Sequence, residues 1–221
     1  MALRAALFDF DGTLVDTTEM IYQGLRHATA EVLGREIPRD ELMSGVGTPL
    51  PRQMELLVGE VPERTVLVER LLESYRLHHE THHDDLIKEF PGVEDALARL
   101  HSAGVRVAVV TSKRRKSVKM ALNRFPGLGP VVDAWITMED TSEHKPRPEP
   151  LLKGLEVLGG VPSGEAAYVG DSPHDVAAAR AAGLTSVAVS WGAFSEKALR
   201  DARPDYLVPD LGSAVDVLLG L

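Results

Sequence analysis

Residues 5–13 read AALFDFDGT, an apolar run that ends in two carboxylates, a glycine and a threonine. The apolar part does not alternate with polar residues, which indicates a strand buried on both faces, as in a parallel sheet. Asp9 and Asp11 are unusual at the end of such a run, because two carboxylates that face one cleft repel each other unless a cation is present. Gly12 and Thr13 add a flexible backbone and N–H groups that can bind an anion. The stretch therefore predicts a buried strand that carries charged groups to one edge of a sheet.

Further short apolar segments repeat this character along the chain, and helical patterns separate them. The predicted strands are Ala5–Phe10, Val105–Thr111, Val131–Thr137, Ala166–Gly170, Thr185–Val189 and Tyr206–Val208. Apolar residues at helical spacing, with Gly and Pro as boundary signals, predict helices over Val93–Ala103, Glu149–Leu158 and Pro173–Ala182. This alternation of strands and helices predicts an α/β fold with a doubly wound, mostly parallel sheet.

The segment 15–88 interrupts the alternation. It has almost no strand signal, and its apolar residues recur at helical spacing. The stretch Ser44–Pro51, SGVGTPLP, reads as a loop because of its Gly and Pro content. We therefore expect a helical insertion at 15–88 in a domain formed by 1–14 and 89–221.

The composition limits the classes of function. Hydrophobic residues make up 44% of the 221 residues, so a core can form without disulfides or a structural metal. The chain has no cysteine, which excludes a thiol nucleophile and fits a reducing cytosol. A net charge of −9 argues against nucleic acid as the main partner. Neither a signal peptide nor an apolar segment of about 18 residues is present, so we expect a cytoplasmic enzyme without a membrane partner.

Three more polar clusters follow the predicted strands. They are Thr111-Ser112-Lys113, Lys145-Pro146-Arg147-Pro148 and Gly170-Asp171-Ser172-Pro173-His174-Asp175. Each alone is commonly a turn, a loop or a helix cap. Together with Asp9 and Asp11 they supply carboxylates, hydroxyl and amide donors and a lysine near one sheet edge, where open α/β sheets bind ligands. This set is what phosphoryl transfer with Mg²⁺ requires.

The order DFDGT, TSK, KPRPEP and GDSPHD resembles the haloacid dehalogenase superfamily of phosphohydrolases, over most of the chain from Leu7 to Asp175. The resemblance implies a Rossmann-like core with an inserted α-helical cap. It also implies a Mg²⁺ cofactor and release of phosphate from a small phosphorylated metabolite through an aspartyl-phosphate. Asp11 argues against the dehalogenase branch, which resembles this pattern but lacks that second carboxylate.

The resemblance also implies a role for individual residues. Asp9 corresponds to the nucleophile and a metal ligand, and Asp11 to the general acid and base, with its backbone carbonyl on the metal. The further correspondences are Thr111 and Lys145 for the phosphoryl group, Asp171 for direct metal ligation, and Asp175 for support of the metal's ligands or waters. Gly12, Thr13, Ser112, Lys113 and Arg52 are expected to bind the substrate's phosphate or another anionic group.

The insertion bears on the substrate. SGVGTPLPRQ at 44–53 resembles a cap loop of phosphoglycolate phosphatases and of bacterial pyrophosphatases of this superfamily. The tract from Tyr75 to Asp84, with Phe90-Pro91-Gly92-Val93 and Arg114 after the TSK motif, is closer to the pyrophosphatase branch. A phosphomutase similar to β-phosphoglucomutase remains the alternative. Arg52 either binds a substrate anion or is a solvated arginine at a helix start.

The cap tract also contains paired histidines. His78 and His82 share a helical face, as do His79 and His83, and this spacing either holds a transition metal or marks a polar hinge. Outside the cap, Trp191 and Phe194 are expected in packing or in the contact of a homodimer.

Overall fold

The computed structural model describes residues 2–221. In chain order the elements are β1 (Ala5–Phe8), β2 (Val15–Asp16), α1 (Thr18–Leu33), α2 (Arg39–Met43), α3 (Leu50–Val58), α4 (Arg64–Leu86), β3 (Lys88–Glu89), α5 (Val93–Ser102), β4 (Arg106–Val110), α6 (Arg115–Arg124), β5 (Ala134–Ile136), α7 (Glu149–Val157), β6 (Ala166–Gly170), α8 (Pro173–Ala182), β7 (Thr185–Val189), α9 (Glu196–Ala202), β8 (Tyr206–Val208) and α10 (Leu211–Leu219). Among the helices of residues 2–221, none has the length and the apolar character that a membrane span requires.

Six parallel strands form the central sheet in the order β5-β4-β1-β6-β7-β8. The predicted doubly wound α/β fold is thereby confirmed. The first strand ends at Phe8 instead of Phe10, because the carbonyl of Phe10 accepts the N–H groups of Leu14 and Val15 in a tight turn. The strand predicted at Val131–Thr137 is β5, and it begins only at Ala134. A short 3₁₀ helix that contains two prolines occupies Pro126–Val131 before it.

Apolar side chains leave both faces of the sheet and bury it between helices. On one face Phe8, Val107 and Val169 pack in a cluster with residues of α5 and α10. On the other face Leu7 and Ala108 pack with residues of α7 and α8. Burial on both faces explains why the strands read as continuous apolar runs.

The inserted helices α1 to α4 pack around an apolar cluster of their own, which includes Leu25, Met54, Leu71 and Tyr75. The chain enters and leaves this insertion, which we call the cap, through the antiparallel pair β2–β3. That two-residue ribbon was absent from the sequence expectations because such short strands carry no periodic signal. It lies at the limits predicted for the insertion, and the division into two domains stays a prediction.

The cap lies closed against the sheet edge. The Ser112 hydroxyl donates to the carbonyl of Gly47 in the cap loop at 2.9 Å, and Lys116 pairs with Glu80 of α4. Gly47 has φ +91°, and a Cβ there would come within 2.9 Å of the Ser172 Oγ atom. Glycine is therefore needed at this position for the cap loop to approach the sheet so closely.

Candidate active site

Three neighbouring strands bring the predicted polar clusters together. β1 leads to Asp9, β4 to Thr111 and β6 to Asp171, and these strands lie side by side in the sheet. Since the strands are parallel, their carboxyl ends meet at one edge. Asp9, Asp11, Thr111 and Asp171 line a cavity of about 90 Å³ between this edge and the cap.

A cluster of buried carboxylates lies at the base of the cavity. Asp9, Asp171 and Asp175 place oxygens within 4.8 Å of one another, and no other such group of three metal-ligand side chains occurs in residues 2–221. The Asp171 Oδ2 atom accepts the Ala193 N–H at 2.8 Å. A Cβ on Gly12 or Gly192 would come within 2.3 or 2.2 Å of the same oxygen. Only glycine therefore lets the two loops pass this close to Asp171.

Lys145 is the buried cation of the cluster. Its ammonium lies 3.0 Å from Asp9 Oδ1 and 2.7 Å from Asp175 Oδ1. It also donates to the Tyr168 hydroxyl at 2.9 Å, and that hydroxyl donates to the Val110 carbonyl at 2.9 Å. Tyr168 was not among the predicted site residues, since its position in a buried strand gave only a packing signal.

Asp175 is held by the first turn of α8. Its Oδ2 atom accepts the N–H of Ser172 at 3.0 Å and the hydroxyl at 2.6 Å, while the Ser172 Oγ atom accepts the Asp175 N–H at 3.2 Å. This reciprocal pair is a capping box. With Lys145 on Oδ1, both oxygens of Asp175 are engaged, and this geometry fits the supporting role expected for it.

The charges of the cluster do not balance. Burial raises the pKa of Asp9 to about 7, although Lys145 opposes the rise, and Asp175 and Asp11 add to it. Burial also raises the pKa of Asp171 well above its usual value, with further repulsion from Asp175 and Asp9. When all three carboxylates are ionised, the one ammonium of Lys145 leaves an excess of two negative charges. An all-oxygen donor set with this excess fits a hard divalent cation such as Mg²⁺.

Asp11 lies beside this cluster and faces the cavity. Its Oδ1 atom accepts the Lys113 ammonium at 2.7 Å, and the Thr111 Oγ1 atom accepts the Lys113 N–H at 3.1 Å. Lys113 is therefore engaged with the predicted acid and base, and it lies in the cavity wall together with Ser112, whose hydroxyl holds the cap loop.

The anion cradle predicted at Gly12 and Thr13 differs in the structure. The Gly12 N–H donates to the Val15 carbonyl at 2.8 Å and the Thr13 N–H to the Phe10 carbonyl at 3.4 Å. Both N–H groups are thus used within the turn, and neither residue lines the cavity. The Trp191 indole donates to the Thr13 carbonyl at 3.2 Å, which fits the packing role expected for this tryptophan.

Arg52 lies outside the cavity. Its guanidinium pairs with Glu55 at 2.9 Å, and 58% of the side chain is exposed. In this structure Arg52 matches the solvated helix-start alternative, because the first turn of α3 directs it to the surface. Its anion-binding role stays a prediction that the observed geometry does not support.

Helix α4 of the cap supplies cavity residues that the sequence interpretation did not assign to the site. Tyr75, Arg76, His79 and Glu80 line the cavity. Burial, with the nearby Lys113 and His83, lowers the pKa of His79 to about 3, so its imidazole is neutral near pH 7. The available signal is the recurrence of 75 and 79 on one helical face, within the tract that resembles the pyrophosphatase branch.

The paired histidines lie inside α4, a helix that is not interrupted between Arg64 and Leu86. In the part of the chain that is described, they also do not join a third ligand-type side chain in a metal cluster. His79 and His83 are buried along the inner face of α4, with ring centroids 5.3 Å apart. The structure therefore favours neither of the two alternatives and places His79 at the cavity.

The chain is similar to known proteins over nearly its whole length. Residues 6–189 match the haloacid dehalogenase-like hydrolase family. A relative from Caldanaerobacter subterraneus subsp. tengcongensis, named as a candidate pyrophosphatase PpaX, is 38% identical over 220 residues, which cover 100% of this chain and 96% of the relative. Pyrophosphatase PpaX of Bacillus cereus is 32% identical over 99% of this chain and 97% of its own length. The crystal structure of a Clostridium acetobutylicum protein described as a predicted phosphatase superposes with a TM-score of 0.86, at 26% identity and with 100% of both chains covered.

Proposed function

Because this chain belongs to the haloacid dehalogenase-like hydrolase family, we propose that it releases phosphate from a small anionic substrate, with pyrophosphate first and phosphoglycolate second. The observation that carries the proposal is the arrangement of Asp9, Lys145, Asp171 and Asp175 at the base of a closed cavity, with Asp11 beside it. Buried opposite charges around a potential nucleophile are what phosphoryl transfer requires.

Asp9 is the proposed nucleophile. The Phe10 N–H and the Lys145 ammonium both contact its Oδ1 atom, at 2.7 and 3.0 Å, so Oδ2 is the oxygen left for attack. In the first step this oxygen forms a bond to phosphorus while the bond from phosphorus to the leaving oxygen breaks. Asp11 gives a proton to that leaving oxygen. The result is an aspartyl-phosphate at Asp9 and a free leaving group.

Asp11 then acts in the opposite sense. Its carboxylate takes a proton from water, and the water oxygen attacks phosphorus, which releases inorganic phosphate and restores Asp9. The contact with Lys113 at 2.7 Å fixes the Asp11 carboxylate at the cavity for both transfers. Thr111, which follows β4 and lines the cavity, would donate its hydroxyl to an oxygen of the phosphoryl group.

The residues that would hold Mg²⁺ are Asp9 and Asp171 through their carboxylates and Asp11 through its backbone carbonyl. A bound Mg²⁺ supplies neutralisation of charge on the phosphoryl oxygens. Asp175 and Lys145 keep Asp9 in place, since Lys145 contacts both carboxylates.

The size of the cavity favours a compact substrate. About 90 Å³ accommodates roughly six to nine water-sized groups. Pyrophosphate and phosphoglycolate each have about nine non-hydrogen atoms, whereas a sugar phosphate is nearly twice as large. This supports hydrolysis of a small substrate over the phosphomutase alternative, and the names of the relatives support pyrophosphate as the first candidate.

A phosphate-release assay tests the proposal. With Mg²⁺ present, we expect the highest kcat/KM for pyrophosphate among pyrophosphate, phosphoglycolate, sugar phosphates and nucleotides. Asp9→Asn and Asp11→Asn should each remove at least about 99% of turnover, since each deletes a reacting group. The exposed Asp201→Asn is the matched control and should keep wild-type activity. If the protein isomerises a sugar phosphate faster than it releases phosphate, the phosphomutase alternative is correct and this proposal is wrong.

A further inference from the structure

Two arginines border the outer part of the cavity, on opposite sides of the junction between cap and sheet edge. Arg76 lies on α4 of the cap, and Arg114 lies immediately before α6. Both are half-buried, and both line the same cavity as Asp9 and Asp11. They therefore face the region where the leaving group would lie once the transferred phosphoryl group is at Asp9.

The carboxylates around these arginines are already paired. Within residues 2–221, neither Arg76 nor Arg114 forms an ion pair or a side-chain hydrogen bond, although their neighbours do. Glu80, the acid closest to them on α4, is bound by Lys116, and Asp11 is bound by Lys113. The Arg76 Nε atom is buried and has no hydrogen-bond acceptor.

This arrangement is costly without a ligand. Burial, and then repulsion from Arg114, lower the pKa of Arg76 from its usual value, although Glu80 opposes part of the shift. A buried donor without an acceptor also loses solvation that nothing replaces. Two guanidinium groups that repel each other across a cavity are stabilised by an anion between them, which each can bind through parallel N–H donors.

We propose that Arg76 and Arg114 form a second anion site that binds the terminal phosphate or carboxylate of the leaving group. The inference rests on the proposed function and adds a requirement for the substrate, which must be anionic at both ends. Because one arginine comes from the cap and the other from the core, an anion bound to both also holds the cap closed. Arg114 and Arg76 thus take the role that the sequence had suggested for Arg52.

Binding of phosphonates that cannot be hydrolysed tests this site without turnover. In calorimetric titrations with Mg²⁺, we expect methylenediphosphonate and 3-phosphonopropionate to bind more tightly than propylphosphonate, which has one anionic end. Arg76→Gln and Arg114→Gln should each weaken binding of the two doubly anionic ligands by about tenfold or more, the effect of losing a charge-assisted contact. In the same variants, the binding of propylphosphonate should weaken by less than about threefold. The two doubly anionic ligands show whether the site prefers a phosphate or a carboxylate.

Arg70→Gln is the matched control, because Arg70 lies on the exposed side of the same helix. It should bind all three ligands like the wild type. The inference is overturned if wild-type protein binds propylphosphonate as tightly as the doubly anionic ligands. It is also overturned if the Arg76 and Arg114 variants lose affinity for all three ligands by the same factor. If pyrophosphate and phosphoglycolate are not hydrolysed but these affinities change as expected, the proposed function fails and the anion site stands.

Discussion

At the scale of single residues, Asp9 combines a buried position with an unbalanced charge. In the folded protein the carboxyl group of Asp9 keeps its proton up to about pH 7. In the unfolded chain the same group releases its proton near the usual pKa of 3.8. Between these values the folded state binds more protons than the unfolded state. The free energy of unfolding therefore falls as pH rises through this window, and the whole cost is present above it.

The substitution Asp9→Asn removes this cost. Without divalent cations, we expect the variant to melt above the wild type at about pH 8, by roughly 2–4 °C for each kcal/mol recovered in a chain of this size. Near pH 4 the difference should vanish, because Asp9 is then protonated in the folded protein. Thermal denaturation in a chelator at both pH values measures it. If the melting temperature of the wild type exceeds that of Asp9→Asn at about pH 8, the proposed cost of the Asp9 charge is contradicted.

The sequence predicted residues of the sheet edge better than those of the cap. Asp9, Thr111 and Asp171 end buried strands, and parallel pairing alone brings such positions together. Arg76 and His79 lie in a helix of 23 residues with polar groups on several faces. Which of those faces the cavity depends on how the cap docks, and no local pattern encodes that arrangement. The two alternatives for Arg52 could not be separated for the same reason, since its orientation follows from how the first turn of α3 is set against the cavity.

At the scale of elements, the packing of α1 against α4 positions Tyr75 at the cavity. Gly24 lies inside α1, where glycine is less stable than alanine by about 1 kcal/mol. A Cβ at this position would meet the Tyr75 ring at 2.8 Å. The glycine therefore makes room for a buried aromatic ring that lines the cavity.

Gly24→Ala should destabilise the protein by about 1–3 kcal/mol despite its better helix propensity, because the rigid ring must move. The same movement should raise KM for the substrate. Urea denaturation and steady-state kinetics measure the two effects. Gly164→Ala is the control, since a Cβ there meets nothing within 4 Å, and it should change stability by less than about 0.5 kcal/mol. Equal stability of Gly24→Ala and wild type would show that the ring is not held as described.

At the scale of the whole molecule, the edge of the sheet carries the charged groups, and the cap covers that edge. The fold class followed from the apolar runs and the spacing of the clusters, and the six-stranded sheet confirms it. The two-residue ribbon β2–β3 could not be predicted, because such short strands carry no periodic signal. The contact between Ser112 and Gly47 could not be predicted either, because it depends on how the cap docks. The polar clusters are thus recognisable in the local sequence, whereas the enclosure of the cavity depends on how the cap docks.

Binding of Mg²⁺ should stabilise the whole protein, since the ion would offset the negative charge of the buried carboxylates in the folded state only. At about pH 8 we expect the melting temperature of the wild type to rise with Mg²⁺ concentration, and by about 2–4 °C for each kcal/mol of binding. Asp171→Asn should reduce this rise to a small fraction. If Mg²⁺ raises the melting temperatures of the wild type and of Asp171→Asn equally, Asp171 does not bind the metal.

The covalent role of Asp9 is tested most directly by trapping the intermediate. Wild-type protein mixed with Mg²⁺ and radiolabelled pyrophosphate is quenched in acid within the first turnover, and peptide mass spectrometry locates the phosphoryl group. Borohydride, which reduces an acyl phosphate, marks the same carboxyl independently. The account predicts phosphate, and then reduction, at Asp9 alone, with neither in Asp9→Asn. Turnover without any phosphorylated peptide, or a phosphoryl group on another residue, would contradict it.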